Sequence, residues 1–191
     1  MAMATASDGR VRRGQRSGQA IVDALLGLIG EGRLEPTARQ VAERAGVGIR
    51  TVFRRFSDME SLFAEMDTRM RVRLLPLVVD GRGDLRRRTR ALVASRAALF
   101  ERIAPYKRAA NLRRWRSPYL RTGHARLVRE LRADLVGRLP ELRRAPAALL
   151  DALDLATSFE AWDRLRTEQG LGRERAQAAV ERTALALIGG S

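Results

Sequence analysis

Arginine carries most of the readable chemistry in this sequence. Residues 49–55 run Ile-Arg-Thr-Val-Phe-Arg-Arg. A guanidinium such as that of Arg50 can bridge O6 and N7 of a guanine. Arg54 and Arg55 suit phosphate oxygens, which fix register without reading sequence. Thr51 and Phe53 offer a methyl group and a ring to a thymine methyl or a sugar-phosphate edge, and Ile49 shares their outer face. Thr37 and Arg39, a turn upstream, are also placed for phosphates. Arg10, Arg12, Arg13 and Arg16 suit phosphate or minor-groove contacts. Each residue has a plainer alternative. Thr37 can be a helix cap only, Arg54 a solvated side chain, Phe53 partly core, and the first residues a disordered segment.

Other chemistries are poorly supplied. The chain of 191 residues has no cysteine and one histidine, His124. Disulfides, thiolate sites, a cysteine nucleophile and multi-histidine metal sites are therefore excluded. Carboxylates such as Asp154 and Glu160 lack a supporting acid–base partner, and there is no phosphate-binding loop. We expect no enzyme activity, no metal and no cofactor. No apolar run approaches the ~20 residues of a membrane span, and residues 1–20 lack a signal-peptide core. A soluble, cytoplasmic chain without membrane partners is expected.

Charge gives a weaker signal. Lys and Arg number 37 against 22 acids, a net charge of +15, and Lys107 is the single lysine. Such arginine dominance, with abundant Ala, Leu and Gly, looks like a coding bias. Residues 86–144 hold 17 arginines and Lys107 against 4 acids, a net +14, whereas residues 1–63 reach only +3. A basic chain favours polyanion partners. Any nucleic-acid role for the first segment nevertheless rests on its motif.

The positioning elements read as helices throughout, with no alternating strand pattern, so the fold class is all-α. Residues 1–14 read as a flexible basic arm. A first helix over residues 15–31 places Ala20, Ile21, Ala24, Leu25, Leu28 and Ile29 on one face. Thr37 with Gln40 forms a capping-box pattern opening a helix to about residue 44, and Gly46 can end it in the left-handed conformation. A second short helix covers residues 49–55. Val47, Val52 and Phe56 would anchor it, leaving its arginine-rich side outward. Two short helices about a tight turn are helix-turn-helix geometry. Ser57 with Glu60 is a further capping-box pattern opening a long helix that Pro76 ends. Asp80-Gly81-Arg82-Gly83-Asp84 is the clearest break. Five helices are expected after it, near residues 85–103, 107–115, 118–139, 146–168 and 173–188.

The window from Thr37 to Phe63 resembles the TetR/AcrR family of one-component transcriptional regulators. The family pattern runs roughly T-x-x-x-I-A-x-x-A-G-V-S-x-G-T-L-Y-x-H-F-x-x-K-E-x-L. The chain matches it at Thr37, Ala42, Ala45, Gly46, Val47, Thr51, Phe56, Glu60 and Leu62, with Val41 and Val52 as conservative replacements. It departs at Gly48, Arg50, Phe53, Arg55 and Met59, where the pattern has Ser, Gly, Tyr, His and Lys. The operator therefore cannot be copied from a relative. The motif covers about residues 15–63, and the rest resembles the family in architecture alone.

The resemblance implies a helix-turn-helix DNA-binding domain over residues 15–63. An effector-binding and dimerisation domain would follow over residues 64–191. It implies a homodimer, most simply a repressor, released from a palindromic double-stranded DNA operator by an unidentified small-molecule effector. The last two long helices would form the subunit interface, with Leu149, Ala152, Leu153, Ala156, Val180, Ala184 and Leu187 as candidates. Effector pockets are mostly apolar with a few placed polar groups. On that ground Tyr106, Asn111, Trp115, His124, Phe159 and Trp162 are the pocket candidates, each equally readable as plain core. Two rivals are a non-specific basic architectural DNA-binding protein and a small helical enzyme.

Overall fold

The computed structural model describes residues 4–74 and 82–189. Among these the chain is all-α, with no strand. Its helices are α1 (Ala4–Gly30), α2 (Ala38–Ala45), α3 (Ile49–Arg55), α4 (Met59–Leu74), α5 (Leu85–Arg114), α6 (Pro118–Arg138), α7 (Ala147–Ala156), α8 (Phe159–Asp163) and α9 (Arg173–Gly189). A 3-10 turn occupies Pro140–Arg143, and a π-helical segment, Arg164–Glu168, follows α8. Pro76 and the start of the break at Asp80 lie outside the described residues. The chain divides into two compact units: Met1–Arg73 with Pro105–Gly123, and Leu74–Ala104 with His124–Ser191.

The first unit is built on the apolar stripe of α1. Ile21, Leu25, Leu28 and Ile29 are buried with Val41, Ala42, Val52, Leu62, Phe63 and Met66. Val22 and Leu26, off the expected stripe, are buried as well, and Ala109 and Leu120 belong to the same cluster. The head's core thus extends past residue 63 and draws on parts of α5 and α6. Arg113 stacks its guanidinium 4.8 Å from the Phe63 ring centroid. The first helix also begins earlier than expected, at Ala4 rather than near Gln15, so residues 4–14 are helical and not a loose arm.

The second unit buries Leu92, Val93, Phe100, Leu131, Leu135, Leu139, Leu153, Phe159 and Trp162. Phe100 meets Phe159 edge-on, at 5.6 Å between centroids and 84° between planes. Glu101 accepts from Trp162 Nε1 at 3.0 Å and from Arg166 Nε at 2.8 Å. The Arg166 contact above all, and then Trp162, holds the Glu101 carboxyl below the usual carboxylate range despite some burial. Arg96 is buried, donating to the Thr157 carbonyl at 2.9 Å and to the Leu131 carbonyl. Burial lowers its pKa to about 10, against the opposing pull of Asp134 and Asp154.

Three expected elements differ. The helices expected at 85–103 and 107–115 are one helix, α5, with Pro105 inside it. Proline's fixed φ suits a helix, and its missing N–H costs one internal bond without ending the run. The single helix expected over residues 146–168 is broken after Ala156. There Thr157 Oγ1 bonds the Leu153 carbonyl at 2.7 Å, and Ser158 Oγ accepts from Ala161 N at 3.1 Å, capping a new helix. Hydroxyls compete with the helix for its own backbone groups, and two in succession suffice here. Finally, α4 is capped by Asp58 with Ser61, at 2.7 Å from Ser61 N, and not by Ser57 with Glu60. A carboxylate makes the stronger, charge-assisted bond.

Candidate nucleic-acid interface

The capping box at Thr37 is complete. Thr37 Oγ1 accepts from Gln40 N at 3.3 Å, while Gln40 Oε1 accepts from Thr37 N at 2.9 Å. Two orphan donors of α2 are thereby satisfied. The helix ends at Gly46, whose φ of 65° and ψ of 32° are left-handed. Val47 N then reaches back to the Ala42 carbonyl at 3.0 Å, and the small buried Ala42 lets α2 pack closely on its neighbours. Arg44 donates to both Glu31 carboxylate oxygens, at 2.8 and 2.5 Å, tying α2 to the end of α1. That bond lowers the Glu31 pKa and raises that of Arg44.

This turn sets the facing of α3. Val52 is buried, while Val47 and Phe56 pack partly against the core. The other sides of α3 are open. Arg50, Arg54 and Arg55 are exposed, and none of the three forms an ion pair among the described residues. Ile49 is 44% and Phe53 48% exposed, and Thr51 is half-buried. Phe53 is thus at most half core. Arg39 is exposed and pairs with Glu43 at 3.0 Å, an i,i+4 contact weak enough to exchange for a phosphate. Thr37, Arg39, Ile49, Arg50, Thr51, Phe53, Arg54 and Arg55 therefore all belong to two adjoining helices and the cap of the first, with cations outward. Arg16 is exposed on α1. The side chains of Arg10, Arg12 and Arg13 lie outside the described residues.

A buried anchor with an exposed cationic face on the second of two turn-linked helices defines a helix-turn-helix DNA-binding head. Residues 21–66 match the model of the bacterial regulatory proteins of the TetR family. This head is thus similar to the N-terminal helix-turn-helix domain of that family, a match that spans less than half of the chain. No curated protein matches the chain. Among solved structures it is similar to a transcriptional regulator from Rhodococcus sp. Rha1. The identity is 24%, the TM-score 0.68, and 93% of this chain and 96% of that one are covered. It is also similar to a TetR-family transcriptional regulator from Mesorhizobium loti MAFF303099. There the identity is 16%, the TM-score 0.59, and the coverage 93% and 97%. At these identities the two structures support the fold.

The six pocket candidates are divided between the units. Tyr106 packs partly against the head's core, Asn111 is half-buried, and Trp115 is 67% exposed with Arg116 stacked 4.1 Å over its ring. All three belong to the first unit. Phe159 and Trp162 are interior residues of the second unit, and His124 there lies half-buried, its Nε2 3.9 Å from Glu160 Oε1. Asn111 Oδ1 is buried without a hydrogen-bond partner among the described residues.

Among the interface candidates, Leu153, Val180 and Ala184 are buried within the second unit. Leu149, Ala152, Ala156 and Leu187 are partly exposed, and Leu155 is a large apolar side chain of α7 that lies open, at 69%. Sequence reasoning missed Arg96, one arginine among many, whose flanking Leu92, Val93, Ala97 and Phe100 were the available signal of burial.

Proposed function

We propose that the chain regulates transcription as a sequence-specific homodimer, binding a palindromic operator as a repressor and leaving it when a small molecule binds. Its action is binding without turnover. The observation that carries this reading is α3, anchored by Val52 and presenting Arg50, Arg54 and Arg55 to solvent. Two such helices, about one helical turn of DNA apart, would read the two half-sites. The partly exposed Leu149, Ala152, Leu155, Ala156 and Leu187 offer α7 and α9 surface for the second copy. The functional division remains a DNA-binding part over residues 15–63 and an effector and dimerisation part over residues 64–191. Effector binding would favour a dimer with the wrong half-site spacing, a coupling of about 1–3 kcal/mol.

Part of the second unit's positive charge is paired within the unit. Arg88 pairs with Glu141, Arg132 with Asp151 and Asp154, Arg138 with Asp134, and Arg166 with Glu101. That disfavours a purely electrostatic, sequence-blind binder. Selection of genomic fragments by the full chain, followed by gel shifts at two salt concentrations, tests the reading. A selected fragment should bind far more tightly than its scrambled counterpart at both. Equal affinity for the two, with a steep common salt slope, would favour the architectural rival.

A further inference from the structure

The outer surface of α3 has two kinds of row. Successive residues of an α-helix turn by about 100°, so residues four apart share a face. Arg50 and Arg54 form one such row, about opposite the buried Val52. Ile49 and Phe53 form the next, on one flank, and both are among the exposed large apolar residues of the chain. Exposing an isoleucine and a phenylalanine side by side on a seven-residue helix gains nothing in water. Arginines at positions 50, 54 and 55 make an aqueous apolar partner a poor match for this face, and a polyanion a good one.

We infer that Ile49 and Phe53 read thymine methyl groups beside the base pair that Arg50 contacts. The deduction rests on the DNA-binding reading above and specifies the base chemistry of the operator. In the major groove the C5 methyl of thymine is the apolar feature of the base-pair edges, and apolar side chains contact it. Residues four apart lie about 6 Å along the helix axis, while successive base pairs rise about 3.4 Å. The pair therefore spans about two base-pair steps. Each half-site should carry thymine at one or two positions next to a guanine. The apolar row supplies discrimination that the arginines cannot, since guanidinium groups prefer guanine.

The test uses the full chain and an operator recovered by selection from random duplexes. Each thymine is replaced singly by deoxyuridine, which removes the methyl and leaves the pairing edge intact. Affinity should fall about fourfold at one or two positions per half-site, corresponding to ~0.8 kcal/mol for one buried carbon group. In Ile49→Ala and Phe53→Ala, checked for folding by circular dichroism, the penalty at the matching position should disappear while the others persist. The inference is overturned if a selected operator tolerates deoxyuridine everywhere. It is equally overturned if Ile49→Ala weakens thymine and deoxyuridine probes alike, which would place these side chains against the sugar-phosphate edge. A protein that selects no sequence at all overturns the DNA-binding reading itself, a result distinct from either.

Discussion

Thr37 combines a structural and a proposed DNA-contacting role, and the two can be separated. Thr37→Ala removes the hydroxyl that accepts from Gln40 N while leaving the backbone N–H bonded to Gln40 Oε1. Loss of an N-cap costs ~0.5–2 kcal/mol. The bond is long at 3.3 Å and exposed, so water replaces part of it and the lower half of that range applies, about 0.5–1 kcal/mol. For a chain of this length that is a drop of about 1–4 °C in melting temperature. Thr37→Asp keeps the cap, because aspartate caps at least as well as threonine, and its charge suits the helix N-terminus. Stability should therefore match or slightly exceed that of the wild type. Beside a phosphate the same carboxylate repels, by ~1 kcal/mol at 4 Å in water, or about fivefold in affinity per half-site. Thermal melts and titrations of a selected operator measure both quantities. An aspartate variant that binds as tightly as wild type would leave Thr37 as a cap alone. An alanine variant that loses no stability would refute the capping argument.

Gly46→Ala should destabilise the head by ~1 kcal/mol in urea unfolding. A Cβ at φ 65° meets nothing within 4 Å, so the cost is conformational, and Gly46→Asn should restore part of it. Leu153→Ala should cost ~2–5 kcal/mol as a core truncation, whereas Leu155→Ala should change stability of the isolated subunit by less than about 0.5 kcal/mol. Comparable losses would contradict the division between core and surface on α7. The carboxyl of Glu101 is held low in the folded chain, chiefly by Arg166. Its stabilisation is complete above the ordinary carboxylate range and is lost as pH falls through the lowered folded value. Glu101→Gln should accordingly flatten the acid limb of a stability–pH profile. Trp162 fluorescence in a Trp115→Phe background follows it, and an unchanged limb would count against the pairing.

The head was legible because its signals are local. Thr37 with Gln40 and the left-handed Gly46 are side-chain and backbone effects within a few residues, and they sit where the spacing put them. The alternation of buried Val52 with exposed Arg50 and Arg54 is likewise set by the helical period. What escaped depends on partners distant in sequence. Val22 and Leu26 are buried in a core that also holds Ala109 and Leu120, which periodicity within α1 cannot reveal. Two helices were expected over residues 85–103 and 107–115, yet α5 runs unbroken through Pro105, since a proline penalty can be offset by packing on either side. The apolar pattern of residues 146–168 runs on through Thr157 and Ser158, hiding a break set by their hydroxyls. Arg96 was marked only by its apolar neighbours Leu92, Val93, Ala97 and Phe100, a weak signal among 36 arginines, and the helices around it decide that it is buried.

The most direct test asks whether Arg50 reads a base. Each base pair of a selected operator is varied in turn, and the affinities of the wild type and Arg50→Ala are compared. The expected result is a loss of about 1–3 kcal/mol for Arg50→Ala on the native operator, with discrimination relaxed at one guanine per half-site and kept elsewhere. A uniform loss across all positions, or no loss at all, would contradict an outward-facing α3 that reads sequence through Arg50.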